Sequence, residues 1–210
     1  MSNWTINNSQ ISISPHDQGE QSTCYAYAIA TAFSAVIFSH KNKKEKEAFR
    51  QKLYNRIVKK FGIDSAFTYV VATYYADRYN LQVKLIDPKT YEDKSTVILT
   101  FAMTAKQWSA FQEFFDDDQT RLKTLTTLPP CDGDLSGHAV VLRGHSLSGY
   151  WKCKNSWGMR HGDEGNFRIS KDLVETLSPN FIKVTPKNSF AKQLLGSALV
   201  ALLSKKNLRD

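Results

Sequence analysis

The sequence predicts an α+β chain with a helical N-terminal lobe followed by an antiparallel, β-rich lobe. Three observations predict it. Up to about residue 80, apolar residues recur at helical spacing, as in Phe49, Leu53 and Ile57. From Gln82 onward, short alternating or β-branched runs are bounded by Asp, Pro and Gly. The 210 residues are 41% hydrophobic, enough to bury the core of one domain, or of one domain in two lobes. The expected division is a domain over 1–188, with a helical lobe about 16–80 and a β-rich lobe about 81–188, and then a tail over 189–210.

Residues 1–15 alternate briefly at Ile11-Ser12-Ile13-Ser14 and suggest an edge strand. A first helix starts at Cys24 and runs to about Phe38, with Ala26, Ile29, Ala30 and Phe33 at helical spacing and Ser22 and Thr23 as candidate caps. Lys41–Phe61 reads as a second, amphipathic helix that Gly62 ends. Asp64 or Ser65 is expected to cap a third helix through Tyr79, with Phe67, Val70, Val71, Tyr74 and Tyr75 facing inward. Strands are expected at Gln82–Ile86, Thr96–Ala102, His138–Arg143, Gly149–Lys154, Gly165–Ile169 and Phe181–Thr185. Between them Lys106–Phe115 spaces Trp108, Phe111 and Phe115 as a helix, read as core. Leu194–Leu203 is nearly all apolar and is followed by Lys205-Lys206. It is too short to span a bilayer as a helix. It is expected to dock on the body, to contact a membrane surface or partner, or to link to further chain in a longer protein.

The net charge is +8 and the pI near 9.3. The excess sits mainly in Lys41–Lys60 and Lys205–Arg209, with no nucleic-acid motif beside either, so solvated basic faces are expected and no nucleic-acid partner. Three cysteines and five histidines show no paired metal-ligand spacing, and no glycine-rich phosphate loop occurs, so neither metal nor cofactor is expected. Asp116-Asp117-Asp118 reads as a solvated loop. No N-terminal stretch has the pattern of a secretory leader, which leaves Asn3-Trp4-Thr5 and Asn7-Asn8-Ser9 without weight as glycosylation sites and makes a reducing compartment, such as the cytoplasm, the expectation.

Three stretches carry chemistry. In Gln18-Gly19-Glu20-Gln21-Ser22-Thr23-Cys24 a thiol sits at a helix N-terminus, whose positive field favours thiolate. Gly137-His138-Ala139-Val140-Val141-Leu142 opens a strand with a histidine. Tyr150-Trp151-Lys152-Cys153-Lys154-Asn155-Ser156-Trp157-Gly158 ends a strand in an asparagine. Alone, the first two have plainer readings, as a buried free cysteine and a satisfied core histidine. In this order they resemble the papain-like cysteine peptidases. Asn155 follows Cys24 by about 130 residues, as in that family; His138 comes earlier, as a shortened second lobe would give.

The resemblance covers roughly residues 12–185 and implies a papain-like two-lobe fold with the active site between the lobes. It implies Cys24 as nucleophile, His138 as its proton partner in an ion pair, Asn155 as the orienter of the imidazole and Trp157 as a cover over that contact. It implies an oxyanion hole from the Cys24 N–H and the Gln18 amide. His145, seven residues beyond His138, is the alternate base. The substrate would be a protein or peptide. Substrate-binding residues would be Gly62 and Ile63, where the family's Gly-Gly stretch keeps one glycine, and Gly137 and Ala139 beside the histidine. Gln21 and Tyr25 replace a cysteine and a tryptophan usual in secreted members, which implies a divergent, intracellular branch. The stretch before Gln18 leaves no room for the long inhibitory propeptide of secreted members, which implies either that it was removed or that control is exerted another way. The expected activity is hydrolysis of peptide bonds by a Cys-His-Asn triad through an acyl-enzyme. A deubiquitinase-like isopeptidase, a thiol acyltransferase and a catalytically dead binding domain on the same fold are the alternatives.

Overall fold

The structure, a computed structural model, describes residues 22–64, 66–92, 95–116, 123–146 and 149–187. The expected N-terminal strand, Gln18, residues 117 and 118 of the acidic run and the 189–210 tail lie outside the described residues.

Helix α1, Cys24–Ile37, is buried continuously from Cys24 to Ala35. Its five alanines let α2 and the sheet approach closely, while Ile29 and Phe33 fill the space between. Thr23 stands at the N-cap, but its side chain does not cap the helix. Its Oγ1 instead accepts a hydrogen bond from the Tyr54 hydroxyl at 3.2 Å. Helix α2, Lys43–Phe61, is capped by Asn42, whose side chain accepts from the Glu45 N–H at 2.9 Å. It buries Leu53 and Ile57 and ends at Gly62 with φ of 91°, a conformation glycine adopts without a Cβ penalty.

Helix α3, Thr68–Ala76, departs from expectation. It starts later than Asp64 or Ser65 would place it, with an extended Phe67 at the N-cap and no side-chain cap. Val71 and Tyr75 point inward as expected, but Phe67, Val70 and Tyr74 are exposed. These three recur at three- and four-residue spacing and so trace the opposite face of a short helix that has one face to bury.

Strands β1 (Leu81–Ile86), β2 (Thr96–Met103), β3 (Ser136–His145), β4 (Tyr150–Lys154), β5 (Asn166–Ser170) and β6 (Asn180–Pro186) form one sheet in the order β1-β6-β2-β3-β4-β5. Every pairing is antiparallel. Helix α4, Ala105–Asp116, opens on a reciprocal cap: the Thr104 N–H donates to Gln107 Oε1 at 3.0 Å, and the Gln107 N–H donates to Thr104 Oγ1 at 3.4 Å. Helix α5, Lys171–Thr176, was not expected from the sequence; six residues show no period, but Ser170 caps it through the Leu173 N–H at 3.1 Å.

The sheet separates two apolar clusters. Ile98, Ala139, Val141, Ile182 and Val184 pack with α1, α2 and α3. Val97, Leu99, Phe101, Val140 and Leu142 pack with α4 and α5 on the other side. The alternation along β2 and β3 is what a strand buried on both faces requires. It also sets Cys24, at the start of α1, against the start of β3. Among the described residues, no helix is long and apolar enough to cross a membrane.

Candidate active site

Cys24, His138 and Asn155 come from three separate elements and converge. Cys24 begins α1, His138 lies in β3, and Asn155 follows β4 directly. All three are buried, at 8%, 2% and 4% exposure. Cys24 and His138 line the same cavity of about 630 Å³. His138 Nε2 donates to Asn155 Oδ1 at 2.9 Å, and the Ser156 N–H donates to the same oxygen at 2.9 Å. Two donors on one amide oxygen fix the orientation of the Asn155 side chain. An oxygen only accepts, so the proton of a neutral His138 is on Nε2, and Nδ1 is its basic nitrogen.

The electrostatics of the pair are set by burial. Burial raises the Cys24 thiol above its usual range; the backbone N–H groups of Ala139, Tyr25 and Cys24 pull the other way. Burial pushes the His138 imidazole down to about 4, against the raising effect of the Asn155 hydrogen bond. The helix N-terminus therefore favours thiolate as the sequence suggests, but desolvation outweighs it. Burial thus disfavours the charged form of each group taken singly.

An aromatic cage explains the dryness of His138. Phe101, opposite it in the β2–β3 register, has its ring centroid 5.5 Å away. Trp108, Trp157 and Phe111 stand at 5.3, 5.6 and 5.8 Å. Trp157 is thus one of the four rings packed around the histidine. Trp108 and Phe111 pack on the same ring, a contact that helical spacing alone could not distinguish from ordinary core. Trp108 carries one further signal of its place, an indole N–H that donates to the Ser136 carbonyl at 3.4 Å. Beyond Trp157 the chain turns at Gly158, with φ of 81°.

The remaining candidates divide. Gly137 and Ala139 line the cavity, and a Cβ at Gly137 would meet nothing within 4 Å. Gly62 and Ile63 do not line it. The Gly62 carbonyl accepts from the Tyr25 hydroxyl at 2.6 Å, and the wall on that side is Ala66–Val70. The floor, which the sequence did not reveal, comes from Thr100, Phe101 and Ala102 of β2, Asn180 and Ile182 of β6, and Ser178 before it. His145 packs instead between Tyr91 and Trp151, in a separate cavity of about 190 Å³. It is not placed to act as the base. No cluster of three or more His, Cys, Asp or Glu side chains suited to a metal ion occurs among the described residues.

Known proteins resemble the chain over most of its length. The family model for the papain family cysteine proteases matches residues 2–178. Cathepsin C of Schistosoma mansoni is 25% identical over 211 residues, covering 79% of this chain and 46% of its own. A viral cathepsin of Adoxophyes honmai nucleopolyhedrovirus is 22% identical over 197 residues, covering 81% of this chain and 56% of its own. The chain thus spans about half the length of these curated relatives. A Carica candamarcensis cysteine protease, CMS1MS2, solved in complex with E-64, superposes with a TM-score of 0.52 at 17% identity, covering 82% of this chain and 92% of that one. The proform of the ragweed pollen protease Amb a 11 gives 0.55 at 15% identity, covering 84% and 62%. These two likenesses agree with the α+β architecture of helices against an antiparallel sheet. With that family model matching residues 2–178, most of its length, the chain belongs to the papain family of cysteine proteases.

Proposed function

We propose that the protein is a thiol endopeptidase that hydrolyses peptide bonds through Cys24, His138 and Asn155. One observation carries the reading: His138 is held by Asn155 through Nε2, which leaves Nδ1 as the base, on a cavity it shares with the Cys24 thiol. Cys24 Sγ attacks the scissile carbonyl carbon while its proton passes to His138 Nδ1. The developing oxyanion is held by the Cys24 N–H and by Gln18, which lies outside the described residues. The imidazolium then protonates the leaving amine, the C–N bond breaks, and a thioester remains on Cys24. A water that gives its proton to Nδ1 hydrolyses this acyl-enzyme. The aromatic cage keeps bulk water from the Asn155–His138 bond through both halves.

The cavity beside the dyad is lined by Phe67, Val70, Leu85 and Ile182, and His138 is its one titratable wall group besides Cys24 and tyrosines. That lining supports a peptide with a bulky apolar residue next to the scissile position, rather than a narrow passage for a Gly-Gly tail. Three free cysteines support a reducing compartment.

A fluorogenic peptide series differing in the residue one before the cleaved position tests this. Hydrolysis is expected for Phe or Leu at that position and not for Asp or Lys, with none by Cys24→Ala. Equal hydrolysis by Cys24→Ala, or folded protein with no hydrolysis of any peptide, would overturn it.

A further inference from the structure

The rim of the catalytic cavity leaves an unusual amount of apolar side chain in water. Phe67 is 86% exposed, Val70 60% and Leu85 53%, and all three line the same cavity. A soluble surface rarely shows large apolar groups in one contiguous patch unless something covers them. The cavity lining contains no Lys, Arg, Asp or Glu, so its occupant is apolar and uncharged.

The chain carries such a segment, and its exit is fixed within reach of the patch, at the end of β1 away from Leu85. The Lys187 N–H donates to the Asn80 carbonyl at 2.9 Å, and Lys187 Nζ pairs with Asp77 at 2.5 Å. The described chain therefore leaves at the junction of α3 and β1. From there the patch is close in two directions. Phe67 lies at the far end of the nine-residue α3, about 13 Å along its axis. Leu85 lies four residues along β1 from Leu81, again about 13 Å. The apolar run Leu194-Leu195-Gly196-Ser197-Ala198-Leu199-Val200-Ala201-Leu202-Leu203 starts seven residues after Lys187, a span that reaches up to about 23 Å. The run holds no charge, and Lys192, Lys205 and Lys206 flank it. A segment tethered at this distance is presented at roughly millimolar effective concentration, above what a separate partner of similar composition supplies.

We propose that residues 194–203 fold back onto the rim formed by Phe67, Tyr69, Val70 and Leu85 and compete there with the substrate, so that the protein restrains its own cleft from the C-terminal side. This rests on the reading of the cleft as a peptide-binding site. Its lever is the fraction of molecules with an open rim: an occupied rim raises the apparent KM by the reciprocal of that fraction and leaves kcat unchanged.

Two measurements on the full chain test it. In the first, p-benzoylphenylalanine replaces Leu199 and is irradiated, and the cross-linked peptides are mapped by mass. Cross-links within one chain to 66–70 and 81–86 are expected. Cross-links elsewhere on the body, cross-links between two chains, or none would overturn the proposal. In the second, the double variant Leu195→Asp, Leu199→Asp is compared with wild type on the best fluorogenic peptide. A KM lower by roughly tenfold with kcat unchanged is expected, as for a rim open about a tenth of the time; an unchanged KM would overturn competition. Rim cross-links in a chain that hydrolyses no peptide would refute the peptidase reading while supporting the docking.

Discussion

At Asn155 one amide oxygen accepts from both His138 Nε2 and the Ser156 N–H, and much of the chemistry follows from that atom. Removing it frees the imidazole to rotate and to change tautomer. Asn155→Ala is expected to lower kcat roughly 10²-fold, with a smaller effect on KM, because orientation of the base acts mainly in the transition state. Steady-state kinetics on an apolar peptide checks this. His138 gives a second residue-scale expectation. Its folded value of about 4 lies below its ordinary 6.5. Between these values the unfolded chain binds more protons than the native one, so stability is full above pH 6.5 and falls as the pH drops toward 4. The expected loss from this group is about 3 kcal/mol. Urea unfolding of wild type and His138→Gln across pH 4–7 reads it, and the variant should show a shallower slope. The same group sets the acid limb of kcat/KM, which should fall only as the pH approaches 4, since protonation of His138 removes the base.

The elements bearing the site were unevenly legible. The α1 and α2 patterns are long, α2 burying one periodic stripe and α1 nearly every side, and both appear within two residues of where spacing places them. The β3 run was equally plain, because a strand buried on both faces reads as a continuous apolar stretch, whereas β4 interleaves Trp151 and Cys153 with lysines. Helix α3 was misread on one face: period distinguishes two sides of a helix, but both sides of α3 are apolar, and the side bearing Phe67 and Val70 faces the cleft. Trp108 and Phe111 were correctly placed on a helix, yet their contact with His138 depends on how α4 crosses the sheet, which no local pattern encodes. The turn after Asn155 carries an element-scale prediction. Gly162 has φ of 64°, and a Cβ there would lie 2.3 Å from the Asn166 carbonyl oxygen. This turn brings Asp163 and Gly165 back to Asn166 and Asn155. Gly162→Ala is expected to cost about 2 kcal/mol or more, since both strain and a backbone clash oppose it. A lower Tm with activity lost in proportion to the unfolded fraction would bear this out.

On the scale of the whole molecule, an antiparallel sheet carries α1–α3 on one face and α4 and α5 on the other, and the dyad sits where α1 meets β3. Cys24, Cys131 and Cys153 are all free, so packing alone holds this arrangement. The Tm is therefore expected to be the same with and without reductant, as differential scanning fluorimetry reads it. The order of motifs revealed the family because a cysteine, a histidine and an asparagine so far apart in sequence need this fold to meet. The cavity floor stayed hidden because it is assembled from β2, β6 and the residues just before β6, none of which carries a motif.

If His138 activates Cys24, covalent labelling of the thiol depends on the imidazole. Intact mass after exposure to an epoxide thiol inhibitor of the E-64 type, followed in time for wild type, Cys24→Ala and His138→Ala, tests it most directly. One adduct per chain is expected for wild type, none for Cys24→Ala, and a rate lower by roughly 10²-fold or more for His138→Ala. An adduct on Cys131, or an unchanged rate in His138→Ala, would contradict the account.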